Sequence, residues 1–165
     1  MILLLMLLSL TVGSFKFEGE SVRFDDLTIK RCNASDNYSI HGWWPEYSNK
    51  SWPSWCDPSR YKEFNNITIS PIKELMDEYW YTCPGWPSPY IFWQHEWEKH
   101  GTCVESDSVV EYFNHTINAF LQAQNNNWYD CCVGSDSDSD SDSNDQCMIP
   151  FSINPNRIKW LGYCH

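Results

Sequence analysis

Apolar side chains recur along this chain at the spacing of buried helices. Ser70 can cap a helix N-terminus and Pro71 suits its first turn, and a run of regularly spaced apolar positions follows. Cys83-Pro84-Gly85 should end this helix. Its predicted core stripe is Ile72, Leu75, Met76, Tyr79 and Trp80.

A second helix is predicted after residue 108. Ser108-Val109-Val110-Glu111 forms a capping box, in which the serine and glutamate side chains satisfy free backbone N–H groups. His115 lies off the apolar stripe, within the Asn114 sequon, and should be at the surface. The predicted stripe is Val110, Phe113, Ile117, Phe120 and Leu121.

Strand patterns occur in the N-terminal part. Aromatic and β-branched residues from Tyr38 to Trp44 predict a strand that Pro45 stops. Residues 52–64 are predicted to be a loop anchored at Cys56. Residues 15–38 allow a short strand or two, through Val22, Phe24, Leu27 and Ile29.

The segment from Phe92 to Cys103 predicts a helix with a polar face of mixed charge. Residues advance by about 100° each on a helix, so one side carries imidazole, carboxylate and ammonium groups. Such a face is costly to bury, but it suits proton transfer next to an anion. Gly101 should end the helix, as a residue free to adopt positive φ. The four polar residues are His95, Glu96, Lys99 and His100.

Two other interpretations of this face are weaker. A zinc protease motif places two histidines four residues apart, with a glutamate beside the first. His95 and His100 are five apart, so their rings diverge by about 140° around the helix axis. This spacing disfavours a metal site, and a solvated charged face remains the simpler alternative.

Length and the first residues indicate one exported domain. The chain has 165 residues, enough for a single modest core. Residues 2–10 are almost all apolar, the run is too short to span a bilayer, and small residues follow. We therefore interpret residues 1–14 as a signal peptide and residues 15–165 as the domain.

Two further features agree with a secreted or lumenal protein. The 8 cysteines could form four bridges, which persist in oxidising compartments. The chain should also be N-glycosylated, because it carries acceptor sequons at Asn33, Asn37, Asn49, Asn66 and Asn114.

The net charge of −11 is unusual for a protein that binds nucleic acid. An acidic compartment would reduce the repulsion by neutralising carboxylates and charging histidines. Part of the charge lies in residues 135–145, a Ser/Asp low-complexity segment predicted to be a solvated loop. Its Asp-x-Asp-x-Asp spacing suggests a calcium loop, but the glycine at the sixth position and the glutamate at the twelfth are missing.

Two segments together resemble the signatures of the ribonuclease T2 family. One is His41-Gly42-Trp43-Trp44-Pro45, and the other runs from His95 through Cys103 as His-Glu-Trp-Glu-Lys-His-Gly-Thr-Cys. The family consists of secreted endoribonucleases that cut single-stranded RNA. The close resemblance covers residues 39–121.

The resemblance implies an α+β fold, with an antiparallel sheet packed against helices and stapled by disulfides. The early Gln-Trp-Pro-type segment of the family is not found, so the N-terminal strand should be reduced. Residues 132–164 resemble the closing segment of the family. The stretch that normally precedes this segment is largely missing, so the C-terminal part should be shortened.

The resemblance also implies the roles of the site residues. His100 would be the base that activates the 2′-OH and His41 the acid that protonates the leaving 5′-oxygen. Glu96 would orient an imidazole, while His95 and Lys99 would surround the phosphate. No step requires a metal or another cofactor.

Base recognition and partners follow from the same resemblance. Trp44 and Glu46 stand where the family holds the base 5′ of the cut, and Phe92 is placed to stack the 3′ base. The expected partner is single-stranded RNA, with no DNA, no membrane after signal removal, and a monomeric state.

A bridge between Cys56 and Cys103 is also implied by the resemblance. It would join the loop after the first signature to the residue just past His100, although eight cysteines allow 105 connectivities. The weaker pairings are Cys32–Cys83, Cys132–Cys147 and Cys131–Cys164.

Two functions other than ribonuclease stay open. A secreted ligand or toxin could use this fold with weak or lost cleavage, which the missing strand and short C-terminal part favour. A zinc-dependent hydrolase is the other, and the histidine spacing disfavours it.

Overall fold

A computed structural model describes residues 23–33, 37–49, 51–132, 145–154 and 157–163. Its strands are β1 (Arg23–Arg31), β2 (Ser39–Tyr47), β3 (Asp145–Asn154) and β4 (Arg157–Trp160). They form one antiparallel sheet in the order β2-β1-β3-β4. The α-helices are α1 (Asn66–Ile69), α2 (Lys73–Tyr79), α3 (Pro89–Lys99) and α4 (Val109–Asn125).

The α+β class with an antiparallel sheet is confirmed. The segment for which the sequence predicted only a short strand or two forms the nine-residue β1, hydrogen-bonded to β2 on one side and β3 on the other. Leu27 and Ile29 of β1 are fully buried. The sheet therefore has a central strand without a Gln-Trp-Pro segment, because alternating apolar residues are sufficient to bury one face.

The prediction that Pro45 stops its strand is wrong. Strand β2 continues through Pro45, which lies opposite Asp25, and ends at Tyr47. Since β2 is at the edge of the sheet, a proline can sit there without removing an inter-strand hydrogen bond.

The helical predictions hold in position, with changes at their ends. Ser70 and Pro71 lie in a 3-10 turn, Ser70–Ile72, and the helical region begins earlier, where Asn65 caps α1 by accepting from two backbone N–H groups. α2 ends at Tyr79, before the predicted Cys-Pro-Gly stop. The predicted loop 52–64 contains a further 3-10 turn, Pro58–Glu63.

The core lies between the sheet and α2, α3 and α4. In the stripe predicted for the first helix, the assignment of Leu75 to the core is wrong, because its side chain is 40% exposed. Met76 and Trp80 of the same stripe are fully buried. On α4, Val110 and Leu121 are only partly buried. The buried face of α4 consists of Val109, Tyr112, Phe113, Thr116, Ile117, Ala119, Phe120 and Ala123.

Three disulfides staple the described residues. They join Cys32 to Cys83, Cys56 to Cys103, and Cys132 to Cys147, which confirms three predicted pairings. The fourth pairing lies outside the described residues, because Cys164 is not among them. The predicted signal peptide and the Ser/Asp segment also fall outside that part of the chain, except for Asp145 at the start of β3. Within the described ranges, no helix is both long and apolar enough to cross a membrane.

Candidate active site

An irregularity in β2 turns His41 towards α3. Thr28 of β1 pairs with Gly42 and Ile29 pairs with Ile40, so His41 is an extra residue between the two pairs. Regular alternation would place His41 on the face of Trp43, which lies in the core. The bulge instead places the His41 ring beside Trp44, with 5.2 Å between ring centroids.

Glu96 of α3 joins these two β2 side chains. Its Oε2 accepts a hydrogen bond from Trp44 Nε1 at 2.9 Å, and its Oε1 lies 3.6 Å from His41 Nε2. The carboxyl group is buried, with 1% of the residue exposed. A buried carboxyl group between an indole N–H and an imidazole can pass or hold a proton, which is the chemistry predicted for this helix face.

His100 lies at the C-terminal end of α3, beneath Trp44. Its backbone N–H donates to the Glu96 carbonyl at 3.0 Å, and its ring stacks on the Trp44 indole at 4.8 Å between centroids. The residue is only 3% exposed, yet neither ring nitrogen has a hydrogen-bond partner among the described residues. A buried imidazole without a partner costs stability, so it is conspicuous in this position.

Two glycines allow the close packing of this site. A Cβ at Gly42 would collide with the Glu96 carboxylate, so a side chain there would displace the group that contacts His41. A Cβ at Gly101 would collide with the Trp97 ring. The expectation of a positive φ at Gly101 is wrong. Its φ is not positive, and the residue begins a 3-10 turn, Gly101–Cys103. Space, not backbone conformation, requires glycine at that position.

Burial and nearby charge set the proton states of the two inner groups. Burial, assisted by the Lys99 charge, lowers the pKa of His100 to about 3. Burial raises the pKa of Glu96 to about 8, against the opposing effects of the Trp44 hydrogen bond and Lys99. At mild pH, His100 is therefore a neutral imidazole, and Glu96 keeps its proton.

His41, which lies beside Glu96, also has a shifted pKa. Burial lowers the pKa of His41 to about 4, and the charges of Lys30, His95 and Lys99 add to this effect. Between about pH 4 and 8 the pair therefore holds one proton, on the carboxyl group when no ligand is present.

The two outer residues of the predicted face surround the same groups. The charge of Lys99 acts on His41, Glu96 and His100, which requires all of them to be close. His95 is half-buried, and burial followed by Lys99 lowers its pKa. The fold thus assembles the five predicted residues of acid–base and phosphate chemistry.

The predicted base-binding residues have different surroundings. Phe92 is buried and contacts the His41 ring edge-on at 5.2 Å. Glu46 is half-buried and lies beside the buried carboxyl group of Asp26. One face of Trp44 is already occupied by His100, so a stacked base would need the other face of the indole or a movement of it.

Sequence reasoning missed several side chains at the site. Trp55 and Trp86 contact the His95 ring at 5.4 and 5.1 Å between centroids. Asp26 is buried opposite Trp44 in the sheet, with neither carboxylate oxygen hydrogen-bonded among the described residues. Lys30 lines a cavity beside His41. Nothing in their local sequence marks these residues, because they belong to segments far from the two signatures.

The disulfide between Cys56 and Cys103 holds one edge of the site. It attaches the loop that follows β2 to the turn after α3, and the Trp55 N–H donates to the Lys99 carbonyl at 2.9 Å. Closing a loop of this size contributes about 3–4 kcal/mol in the chain-entropy view. Across the described ranges, no three His, Cys, Asp or Glu side chains cluster closely enough to hold a metal ion.

Fold and site together define a disulfide-stapled α+β domain in which a strand histidine, a helix-end histidine and a buried carboxyl group all contact one tryptophan. The family model described as "Ribonuclease T2 family" matches residues 20–138, more than half of the chain. The chain therefore belongs to the ribonuclease T2 family.

Individual relatives agree with this assignment. Ribonuclease 1 of Arabidopsis thaliana is 46% identical over 102 residues, which cover 55% of this chain and 42% of the relative. The crystal structure of RNase NT in complex with 5′-AMP matches with a TM-score of 0.55 and 24% identity, over 71% of this chain and 64% of that one. Human RNase T2 matches with a TM-score of 0.54 and 24% identity, over 68% and 62%. The chain spans less than half the length of the curated relatives it matches.

Proposed function

We propose that this protein is a secreted endoribonuclease that cuts single-stranded RNA by attack of a 2′-OH on the adjacent phosphorus. The observation that carries the proposal is the grouping of His41, Glu96 and His100 around the Trp44 indole, with neither ring nitrogen of His100 hydrogen-bonded among the described residues. A nucleophile proton is the kind of partner that such a neutral, buried imidazole can accept.

His100 acts as the base in this proposal. Its lowered pKa keeps the ring neutral above about pH 3, so it can take the 2′-OH proton. The cost of leaving its nitrogens without a partner among the described residues is offset when the substrate hydroxyl binds. The stacked Trp44 keeps the ring in one orientation but also covers it, so the indole must admit the ribose.

His41 and Glu96 together supply the proton for the leaving 5′-oxygen. In the free protein the shared proton sits on Glu96, because burial disfavours both charged forms. A bound phosphodiester brings negative charge to the site, which favours a protonated His41 beside an ionised Glu96. Nε2 and Oε1 are 3.6 Å apart in the free protein and must approach to hydrogen-bond distance, about 3 Å, for this transfer.

Lys99 and His95 stabilise the charge that develops on the phosphoryl oxygens. Lys99 supplies a positive charge near all the reacting groups, and His95 adds a hydrogen-bond donor. The product is a 2′,3′-cyclic phosphate, which water opens in a second step. Each proton transfer is assigned to a side chain, so the reaction as drawn has no step that uses a metal.

Base binding and export complete the proposal. Trp44 and Glu46 hold the 5′ base, and Phe92 stacks the 3′ base. The three described disulfides, the apolar leader and the sequons support an oxidising, exported location, with the protein acting as a monomer on RNA and not on DNA.

A chimeric oligonucleotide tests the proposal. One ribonucleotide in an otherwise 2′-deoxy single strand should be cut only after that nucleotide, and mass spectrometry should identify the cyclic phosphate. Chelator should leave the rate unchanged, and His100→Ala should abolish the cut. Cutting of the all-deoxy strand, or loss of activity with chelator, would contradict this mechanism. A folded parent that cuts no RNA between pH 4 and 8 would favour a ligand or toxin on the same fold.

A further inference from the structure

A cavity of about 200 Å³ opens beside His41, and His100 does not contribute to its lining. Two aromatic rings of its lining, Trp86 and Phe92, have centroids 5.0 Å apart, and Phe92 also contacts His41. This volume is below the range of about 300–1,000 Å³ found for drug-sized ligands, so the cavity suits one base, with the sugar and its phosphate outside. Its remaining lining residues are Lys30, Ser39, Ile40, Tyr81, Cys83, Pro84 and Gly85.

The position of His41 decides which nucleotide enters this cavity. In the proposed function, His41 protonates the 5′-oxygen that leaves, and that oxygen belongs to the nucleotide 3′ of the cut. The cavity next to His41 therefore receives the leaving nucleoside.

Lys30 is the lining residue with a permanent positive charge among those described. It lies on β1 opposite Ser39, two residues before His41 on the neighbouring strand. Its charge is also the main electrostatic cause, after burial, of the lowered pKa of His41, ahead of His95 and Lys99. A long, flexible ammonium side chain at the edge of a base-sized cavity can reach a phosphate attached to the bound nucleoside.

We propose that Lys30 binds the next phosphate of the substrate, the one on the 3′-oxygen of the leaving nucleotide. The preferred substrate is then an RNA that continues beyond the leaving nucleoside, not a dinucleotide that stops there. This inference rests on the proposed function for the direction of the substrate. It adds a second phosphate contact on the leaving side, separate from the Lys99 charge at the reacting phosphate.

Two dinucleotides that differ by one phosphate test the proposal. One is XpY, in which a single phosphate joins nucleosides X and Y, and the other is XpYp, which carries an additional phosphate on the 3′-oxygen of Y. The parent should cleave XpYp with a kcat/KM about tenfold or more above that of XpY, as expected for one charge-assisted contact. Lys30→Gln should lower the ratio of the two kcat/KM values to about one, beyond any change that the loss of its charge beside His41 makes to both substrates alike. Lys30→Arg should keep the difference. Lys62→Gln, an equal change of charge at an exposed site, should keep it too.

A binding measurement separates this inference from the proposed function. By calorimetry, the parent should bind a nucleoside 3′,5′-bisphosphate about tenfold more tightly than the 5′-monophosphate, and Lys30→Gln should remove the difference. This result needs no turnover, so it stands even if the parent cuts no RNA. Equal affinities in the parent would overturn the inference. So would a Lys30→Gln effect of the same size on XpY and XpYp, or one that changes only the preference for the base Y.

Discussion

Two neighbouring tryptophans of β2 each stack on a buried polar ring, one in the core and one in the site. Trp43 stacks on Tyr112 at 5.7 Å, and the tyrosine hydroxyl hydrogen-bonds to both the N–H and the carbonyl of Trp43, at 3.4 and 3.2 Å. Trp44 stacks on His100 at 4.8 Å, but the imidazole nitrogens have no partner in the described part of the chain.

The difference shows where this fold gives up stability for chemistry. In the core stack, the buried hydroxyl is satisfied and contributes to stability, and the one ring atom without a hydrogen bond among the described residues is Trp43 Nε1. In the site stack, the same kind of packing leaves two polar atoms unsatisfied, at a cost of about 1–3 kcal/mol each. The imidazole nitrogens can be satisfied by a substrate group that hydrogen-bonds to them. This supports placing the chemistry on this face of β2.

The largest expected effect comes from breaking the core stack. Tyr112→Ala should lower the free energy of unfolding by about 3–5 kcal/mol, because it leaves a cavity and removes a satisfied hydroxyl. Tyr112→Phe, which removes the hydroxyl alone, should cost about 1–3 kcal/mol. Denaturant unfolding with the disulfides intact measures both. A loss below 1 kcal/mol for Tyr112→Ala would show that the core stack contributes little.

Breaking the site stack should affect catalysis and not folding. His100→Ala should lower kcat/KM for RNA by at least about 10²-fold, the low end for a lost acid–base catalyst. The protein should remain folded, since the imidazole makes no hydrogen bond to the described residues. His41→Ala should have a similar effect, and the double variant should lose less than the product of the two.

His115→Ala is the matched control for this comparison. His115 is half-exposed on α4 and contacts Trp43 from the core side of β2. The variant should retain the parent's kcat/KM. If His100→Ala cuts RNA as fast as His115→Ala does, His100 is not the base.

The pH profile sharpens the site side of the comparison. Activity should persist from about pH 3, where His100 loses its proton, to about pH 8, where the His41–Glu96 pair loses its shared proton. In Glu96→Gln the carboxyl proton is absent and His41 titrates alone near pH 4, so the alkaline limb should move down towards that pH.

The control for this profile is Glu98→Gln, on the same helix. Glu98 accepts from Gln94 and does not contact the pair, so its replacement should leave the alkaline limb near pH 8. Measurements of kcat/KM over pH 3 to 9 for the parent and both variants give the position of the alkaline limb in each. An unmoved limb in Glu96→Gln would mean that another group supplies the proton.

The smallest effect is expected behind the site stack, at Asp26. Burial, then the neighbouring Glu46, raises the pKa of Asp26 from 3.8 to about 8. A raised folded-state pKa means that the folded protein binds the proton more tightly, so stability is lost as pH rises from about 4 to about 8. Asp26→Asn cannot ionise and should be about 1 kcal/mol more stable than the parent at pH 8.

Thermal unfolding at several pH values tests this stability change. The advantage of Asp26→Asn should shrink as the pH falls and vanish below about pH 3, because the parent's Asp26 is then protonated in both states. An advantage that stays constant with pH would show that Asp26 does not titrate as described.

Some features of this protein follow from short stretches of its sequence. The capping box at Ser108 is local, and the structure confirms that the serine side chain accepts from the Glu111 N–H at 3.2 Å. Helical spacing along α3 placed four polar side chains together, and the electrostatic coupling of Lys99 to the histidines agrees with it. Both signals act within one or two turns of helix, where side-chain direction depends on spacing alone.

Other features were decided only by the tertiary structure. Alternation along β2 would send His41 into the core, and the bulge that redirects it appears only in the pairing of β2 with β1. The stack of Trp44 on His100 joins segments that are far apart in the chain, and the position of Lys30 beside His41 depends on the register between β1 and β2. Such contacts depend on strand register and on how helices pack against the sheet, and periodicity within one segment carries no information about either.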